Sequence, residues 1–281
     1  METIIKYSFK EMVKKKIFIA TLVLAVIFLI LYGGALYLVY DRGGGPTDLV
    51  IRAAVSSQLL GAGFYFSTFI VAFLTVLGSI STVTNETESG LLYTILTKPI
   101  ARPVYLLGKY LGLACMMTAF GIFMLGMVLM INIFFAGEFL YDFSIFKIIQ
   151  AVAVYSLIPL CLLSVVFFLG MKLKSLATGI IVIMLFMLGV IGGFLEQIGV
   201  VLGKQELVDV GIFTSLLSPM DSLYRKFFSI LYDTGNMSLS LIANGPFGTG
   251  QPPSGWMVIY AGVFTAVFLL LAIAAFNKLD L

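Results

Sequence analysis

Histidine is absent from the 281 residues, cysteine occurs twice, tryptophan once, and only 11% of the chain is charged. The missing histidine removes the commonest metal ligand and the commonest general base together. Cys115 and Cys161 fall inside apolar runs, away from oxidant and from a second ligand, so no disulfide framework is expected. A Gly-x-x-x-x-Gly-Lys-Ser/Thr phosphate loop is also missing: "GLLYTILTK" (Gly90 to Lys98) has neither the second glycine nor the Lys-Ser pair. These absences leave the chain without a catalytic residue set, a metal site or a cofactor site of its own.

What is present is apolar. Hydrophobic residues make up 60% of the chain and the mean hydropathy is +1.10, far outside what a soluble domain of this size can bury. Six runs approach or exceed the roughly 20 residues that cross a bilayer: Ile17 to Tyr40, Leu59 to Val83, Leu111 to Ala136, Ala151 to Gly170, Leu176 to Leu195 and Trp256 to Phe276. With their flanks they predict spans over 17–40, 59–83, 104–136, 147–170, 176–199 and 256–276. The expectation is an all-α integral membrane protein, one domain over 1–281, with six transmembrane helices. The first run is too long for a cleaved signal, and its exit "DRGGGP" offers no small-x-small site, so the N-terminus is expected to be kept.

Basic residues set orientation, because Lys and Arg resist translocation. With the N-terminus inside, eleven of the 17 fall on the inner side: Lys6, Lys10, Lys14, Lys15, Lys16, Lys98, Arg102, Lys109, Lys172, Lys174 and Lys278. Arg42, Arg52, Lys147, Lys204, Arg225 and Lys226 fall outside. This predicts a multi-pass protein of the cell membrane with both termini cytoplasmic.

The apolar runs hold no Asp, Glu, Lys or Arg. Lys109 and Lys147 lie just outside two of them, where a long stem can snorkel to water, and Glu196 is the nearest acid at the outer end. A proton-driven carrier needs an ionisable group near the midplane, so work done here must be powered from outside the bilayer. A secondary carrier and a non-transporting membrane anchor for a soluble partner stand as the alternatives. Gly108, Gly112, Gly189, Gly192 and Gly193 suit close helix packing. Met116, Met117, Met124, Met127 and Met130 are read as packing before they are read as a path for apolar cargo.

Three segments lie outside the spans. Residues 1–16 place Ile5, Phe9, Met12 and Val13 on one stripe of a helix and Lys6, Lys10, Glu11, Lys14 and Lys15 on the rest, the pattern of an interfacial helix against anionic headgroups. Residues 85–102 predict a second short helix. Asn85 and Glu88 can form a reciprocal cap, Leu91, Leu92, Ile95 and Leu96 share a side, and Pro99 stops it near Lys98 and Arg102. The residues alone leave docking to a soluble partner and a plain interfacial role even. In the outer loop 201–255, Ser218, Pro219 and Asp221 predict a helix start, Leu223, Phe227, Ile230 and Leu231 a stripe, and Gly235 an end. Arg225, Lys226 and Asp233 keep it from spanning, so it is expected to lie flat on the outer leaflet or to cap the exit. As a gate its candidates are Pro219, Asp221, Tyr224 and Arg225; as a lid it merely covers span ends. "NGPFGTGQPPSG" reads as an irregular linker, and Trp256 marks the outer interface.

"ETESGLLYTILTKPIARPVYLLGKYLG" resembles the loop between the second and third spans of permeases of the ATP-binding-cassette type-2 exporter superfamily. The matching positions are Glu86, Glu88, Gly90, Leu92, Leu96, Pro99, Arg102, Gly108 and Lys109. Leu91 departs from the pattern, standing where threonine is usual. The likeness extends to the cationic entry helix, the six spans, "SPMDSLYR" (Ser218 to Arg225) and the tail "FNKLDL". Within the superfamily the chain is similar to bacterial and archaeal permeases of the nitrous-oxide-reductase maturation and gliding-type systems. The resemblance implies that residues 85–102 hold a cytoplasmic coupling helix seated in a groove of a separate ATPase. Glu86 and Glu88 then face basic residues, Leu92 and Leu96 fill the groove, and Lys98 or Arg102 pairs at the rim. It further implies two cytoplasmic ATPase subunits holding ATP and Mg, a second permease copy, a lipid environment, no nucleic acid, and a role in export.

Overall fold

The computed structural model describes residues 2–42, 49–88, 101–136, 144–231 and 252–278. Among the described residues every regular element is helical. α1 is Glu2–Lys14 and α2 Lys16–Tyr37, whose last turn widens into a π-helical turn over Leu38–Arg42. α3 is Leu49–Glu88, α4 Arg102–Ala136, α5 Ile145–Gly170 and α6 Ser175–Leu202. α7 is Gln205–Leu217, α8 Met220–Leu231 and α9 Trp256–Asn277. Six of these, α2 to α6 and α9, are long and apolar enough to cross a membrane.

The order of burial follows composition. In the most apolar stretch of α3, 72% of residues are buried in the protein, against 17% for α2 and 11% for α9. Yet α3 is the least apolar of the six, with a mean hydropathy of 1.9 against 2.7 and 2.5 for those two. The inversion has a physical reason. A helix that faces lipid must be apolar all round, whereas one walled in by neighbours profits from small side chains that let them approach. Ser56, Ser67, Thr68, Thr75, Ser79 and Thr82 of α3 are all buried. Several satisfy themselves on their own helix, as Thr68 Oγ1 does on the Phe64 carbonyl at 2.8 Å and Thr75 Oγ1 on that of Val71 at 2.7 Å. Polar groups are thus spent without a partner helix, and the surface left behind is smooth.

Two packed clusters share α3. One joins it to α5, α6 and α8 through Phe64, Tyr155, Leu162, Tyr224 and Phe227. The other joins it to α1 and α4 through Met12, Leu74, Leu113, Met117 and Phe120. The methionines divide accordingly: Met116, Met117 and Met124 are core, while Met130 is exposed. Arg102, which opens α4, donates from Nη1 to the Asn277 carbonyl at 3.1 Å, so the start of α4 and the end of α9 meet at one end of the bundle. α1 packs there too, and this end, which carries both termini, is the terminal end.

Three expectations from the sequence change. No helix starts at Asn85, because α3 runs unbroken through it to Glu88. An established helix propagates cheaply, and nothing between Thr84 and Glu88 breaks it. Residues 201–231 are not one loop with one helix: α7 folds back along α6, and α8 follows it, packed chiefly against α5 and also touching α6 and α3. Lys109, expected to reach water from just outside its apolar run, is buried within α4.

At the opposite end a polar node ties three spans. Asn132 of α4 is fully buried, donates from Nδ2 to the Tyr32 hydroxyl of α2 at 2.8 Å, and accepts from the Ser56 hydroxyl of α3 at 3.2 Å. Asn132→Ala is expected to destabilise the bundle by about 1–2 kcal/mol, the value of one or two interhelical hydrogen bonds within a membrane. The measurement is the unfolding midpoint in a detergent denaturation series.

Candidate functional site

At the terminal end α1 lies across two spans. Its Ile5 carbonyl and Ser8 side chain pack on Gly112 of α4, where an added Cβ would stand 2.7 Å from the Ile5 oxygen. Met12 packs on Gly78 of α3. At 1.5 Å per residue, Gly112 is roughly 15 Å from the Arg102 end of α4 and Gly78 roughly 15 Å from the Glu88 end of α3. α1 therefore crosses both at one depth, as a helix parallel to the membrane plane does. Its apolar stripe is split: Met12 is buried in protein, while Phe9 and Val13 stay exposed beside Lys6, Lys10 and Lys14.

Two lysines grip the last turns of α3. Lys15 Nζ donates to the hydroxyls of Thr82 at 2.6 Å and Ser81 at 3.1 Å and pairs with Glu11 at 3.1 Å. Lys109 Nζ donates to the Thr82 carbonyl at 2.5 Å and sits 5.9 Å from the Tyr105 ring centre. Lys109 does not snorkel to water as expected, for it is 4% exposed. The Thr82 carbonyl, with a free lone pair beside its helical bond, gives the buried ammonium an acceptor. The expected docking residues divide. The backbone puts Glu86 and Glu88 in the last turn of α3, and Arg102 opens α4 against Asn277. Gly108 is buried in α4. Gly90, Leu92, Leu96, Lys98 and Pro99 lie outside the described residues.

The other end is built around α8, which does not lie flat on a surface. Met220, Asp221, Leu223, Tyr224, Arg225, Phe227 and Phe228 are all buried, so opposite faces of the helix are covered. Pro219 is buried beside them, and Ser218 turns its hydroxyl to the Met220 thioether at 3.2 Å. Phe227 packs edge-on to Phe64 of α3 at 5.3 Å, and Tyr224 donates to the Gly61 carbonyl of α3 at 2.7 Å. The apolar stripe thus fills the bundle instead of lipid.

Its charges are held by pairing. Arg225 Nη2 reaches Glu196 Oε2 of α6 at 2.6 Å, and Nε reaches Asp221 Oδ2 at 3.0 Å. Tyr65 of α3 donates its hydroxyl to Asp221 Oδ1 at 3.3 Å. Gly193 of α6 makes room, since a Cβ there would collide with the Asp221 carboxylate. Burial pushes Asp221 up to about 6 against the opposing pull of Arg225. Burial also disfavours the charge on Arg225, but Glu196 and Asp221 more than offset it and hold the guanidinium above its ordinary value. Tyr224 is raised by burial. Tyr65 and Glu196 belong to this network, and the sequence reading named neither as a site residue. For Glu196 a signal existed, because Gly189, Gly193 and Glu196 recur at helical spacing on one face of α6. For Tyr65 there was none.

A bundle of six spans with a cross-lying entry helix and a buried helix, α8, before the last span is therefore in place. A family model described as ABC-2 family transporter protein matches residues 2–281. The chain belongs to that family. No curated protein matches it. As an ABC-2 permease it is the membrane component of an ATP-binding-cassette transporter, not itself the catalytic one, and it associates with an ATP-binding-cassette partner. Among its described residues no group of three or more metal-binding side chains occurs.

Removing one partner of a buried ion pair leaves the other charge stranded. Arg225→Met in the permease is expected to cost about 3–5 kcal/mol by exposing Asp221 and Glu196 to each other in a poorly solvated site. Loss of the monodisperse peak in detergent chromatography, with Lys226→Met unaffected, checks it.

Proposed function

We propose that this permease is one half of an exporter, in which two copies of the chain span the membrane and two separate ATPase subunits dock on residues 85–102 from the cytoplasm. Both termini are then cytoplasmic, in line with eleven of the 17 basic residues falling on that side. ATP and Mg are held by the ATPases. Their closure pushes on the docking segment, where Glu86 and Glu88 meet basic residues, Leu92 and Leu96 fill a groove behind Gly90 and Pro99, and Lys98 and Arg102 pair at the rim.

The observation that carries this reading is the course of α3. Its middle passes beside α8, where Phe64 and Tyr65 meet Phe227 and Asp221. It ends in the docking segment at Glu88, gripped by Lys15 and Lys109 through Thr82. A helix packed against several neighbours transmits a push along its axis with little loss, because packed interiors are stiff. Load applied at its Glu88 end therefore reaches α8, and Pro219, Asp221, Tyr224 and Arg225 act as the moving part of an outer gate. α1 rides with α3 and α4 because it is keyed into Gly78 and Gly112.

Copurification with the ATPase subunit, and hydrolysis stimulated by the permease, test the docking. Reversing both acids (E86K with E88K) is expected to lower partner binding at least tenfold while the permease stays monodisperse. Unchanged binding and unchanged hydrolysis in that double variant remove the docking role.

A further inference from the structure

A cluster of three buried charges has no evident part in docking. They sit at the α8 end: the side chain of Arg225 is 2% exposed, that of Asp221 4% and that of Glu196 15%. One guanidinium serves two carboxylates, so with both ionised the cluster holds an excess negative charge. A buried net charge is strongly disfavoured, and a proton is the least disruptive way to remove it.

Geometry says which acid takes it. Glu196 is the better solvated of the two and has the shorter contact to Arg225, 2.6 Å against 3.0 Å for Asp221. Asp221 has Gly193 at its back and Tyr65 at its other oxygen, 3.3 Å away, a separation at which the phenol can turn from donor to acceptor. We propose that Asp221 takes up a proton from the medium at the α8 end, and that this proton locks α8, and with it the α7–α8 segment, onto α3 and α6. In the step one O–H bond forms on Asp221 Oδ1, the proton comes from solvent, and the Tyr65 hydroxyl reverses to accept it. The cluster becomes neutral, with Arg225 paired to Glu196.

The groups facing Asp221 are accounted for from each neighbouring helix. α3 contributes Tyr65, α6 Glu196, and α8 itself Arg225. Tyr224 of α8 lies within its field, and through Tyr224 so do Tyr155 of α5 and Tyr32 of α2. Among the described residues no charged side chain of α7 or α9 acts on it.

The sign follows from linkage. Docked Asp221 titrates near 6, above the ordinary 3.8 it regains when α8 is released to water. The docked state therefore binds the proton more tightly. The lock is full below about 4 and is lost as pH rises through about 6, by up to about a hundredfold in the ratio of docked to released α8. If α8 is the outer gate, as proposed above, acid outside holds the exporter shut. The proton uptake itself needs neither ATPase nor cargo, so its test stands apart from the docking reading.

The test is hydrogen–deuterium exchange over residues 205–231 of the purified permease at pH 5 and pH 8, with labelling times scaled for the intrinsic rate. Protection of the α7–α8 segment, relative to α4 in the same sample, is expected to fall about tenfold from pH 5 to pH 8. Asp221→Asn, the neutral isostere, is expected to stay protected at both. Tyr65→Phe removes a donor to the carboxylate and is expected to move the midpoint to higher pH. Protection independent of pH in the unmodified protein overturns the proposal, as does an unaltered pH dependence in Asp221→Asn. Should that variant fail to fold, Tyr65→Phe decides: an upward midpoint supports Asp221 as the titrating group, and an unmoved one overturns it.

Discussion

Lipid offers a helix no hydrogen bonds and no high dielectric, so polarity in this bundle is possible only where other helices stand between it and the membrane. That shielding is what α3 receives. Its hydroxyls turn back onto its own carbonyls, its small residues let α4, α5 and α6 close on it, and the two packed clusters meet along it. α2 and α9 do the reverse, offering nothing but apolar surface outward. The centre of the fold is thus the least apolar span.

Shielding also explains how ionised side chains sit inside the outline of the spans. Lys109 is compensated by the Thr82 carbonyl of α3, an acceptor that the backbone supplies without a second desolvated side chain. Arg225 is compensated by two carboxylates, a stronger attraction that carries the desolvation of three groups. The first arrangement is electrically quiet and fits a fixed joint. The second holds one acid too many, is sensitive to its surroundings, and fits a part that moves. Both attach to α3, the first toward its Glu88 end and the second midway along it.

The sequence was most legible where the property concerned is local. An apolar run of sufficient length is a span whatever its neighbours, and "SPMDSLYR" signals a helix start through Pro219 and Asp221 alone. It misled where a local signal competed with a helix already running. Asn85 and Glu88 have the spacing of a capping box, yet α3 passes straight through them. Arg225 and Lys226 look like residues that keep a helix on the surface, which holds only if no acid waits inside. Glu196 and Asp221 wait there, and the stripe of Leu223 and Phe227 turns inward with them.

The number of spans and their helical nature were set by the chain itself, because hydrophobic length needs no partner to have its effect. Which span is central, which lysine is buried and which acid shares a guanidinium were decided only by tertiary structure. Those outcomes rest on contacts such as Tyr65 with Asp221 and Lys15 with Thr82, between residues far apart in sequence. The physical reason is that burial is a property of an assembly. A charge is tolerated or not according to what closes over it, and that is known only once the helices have packed.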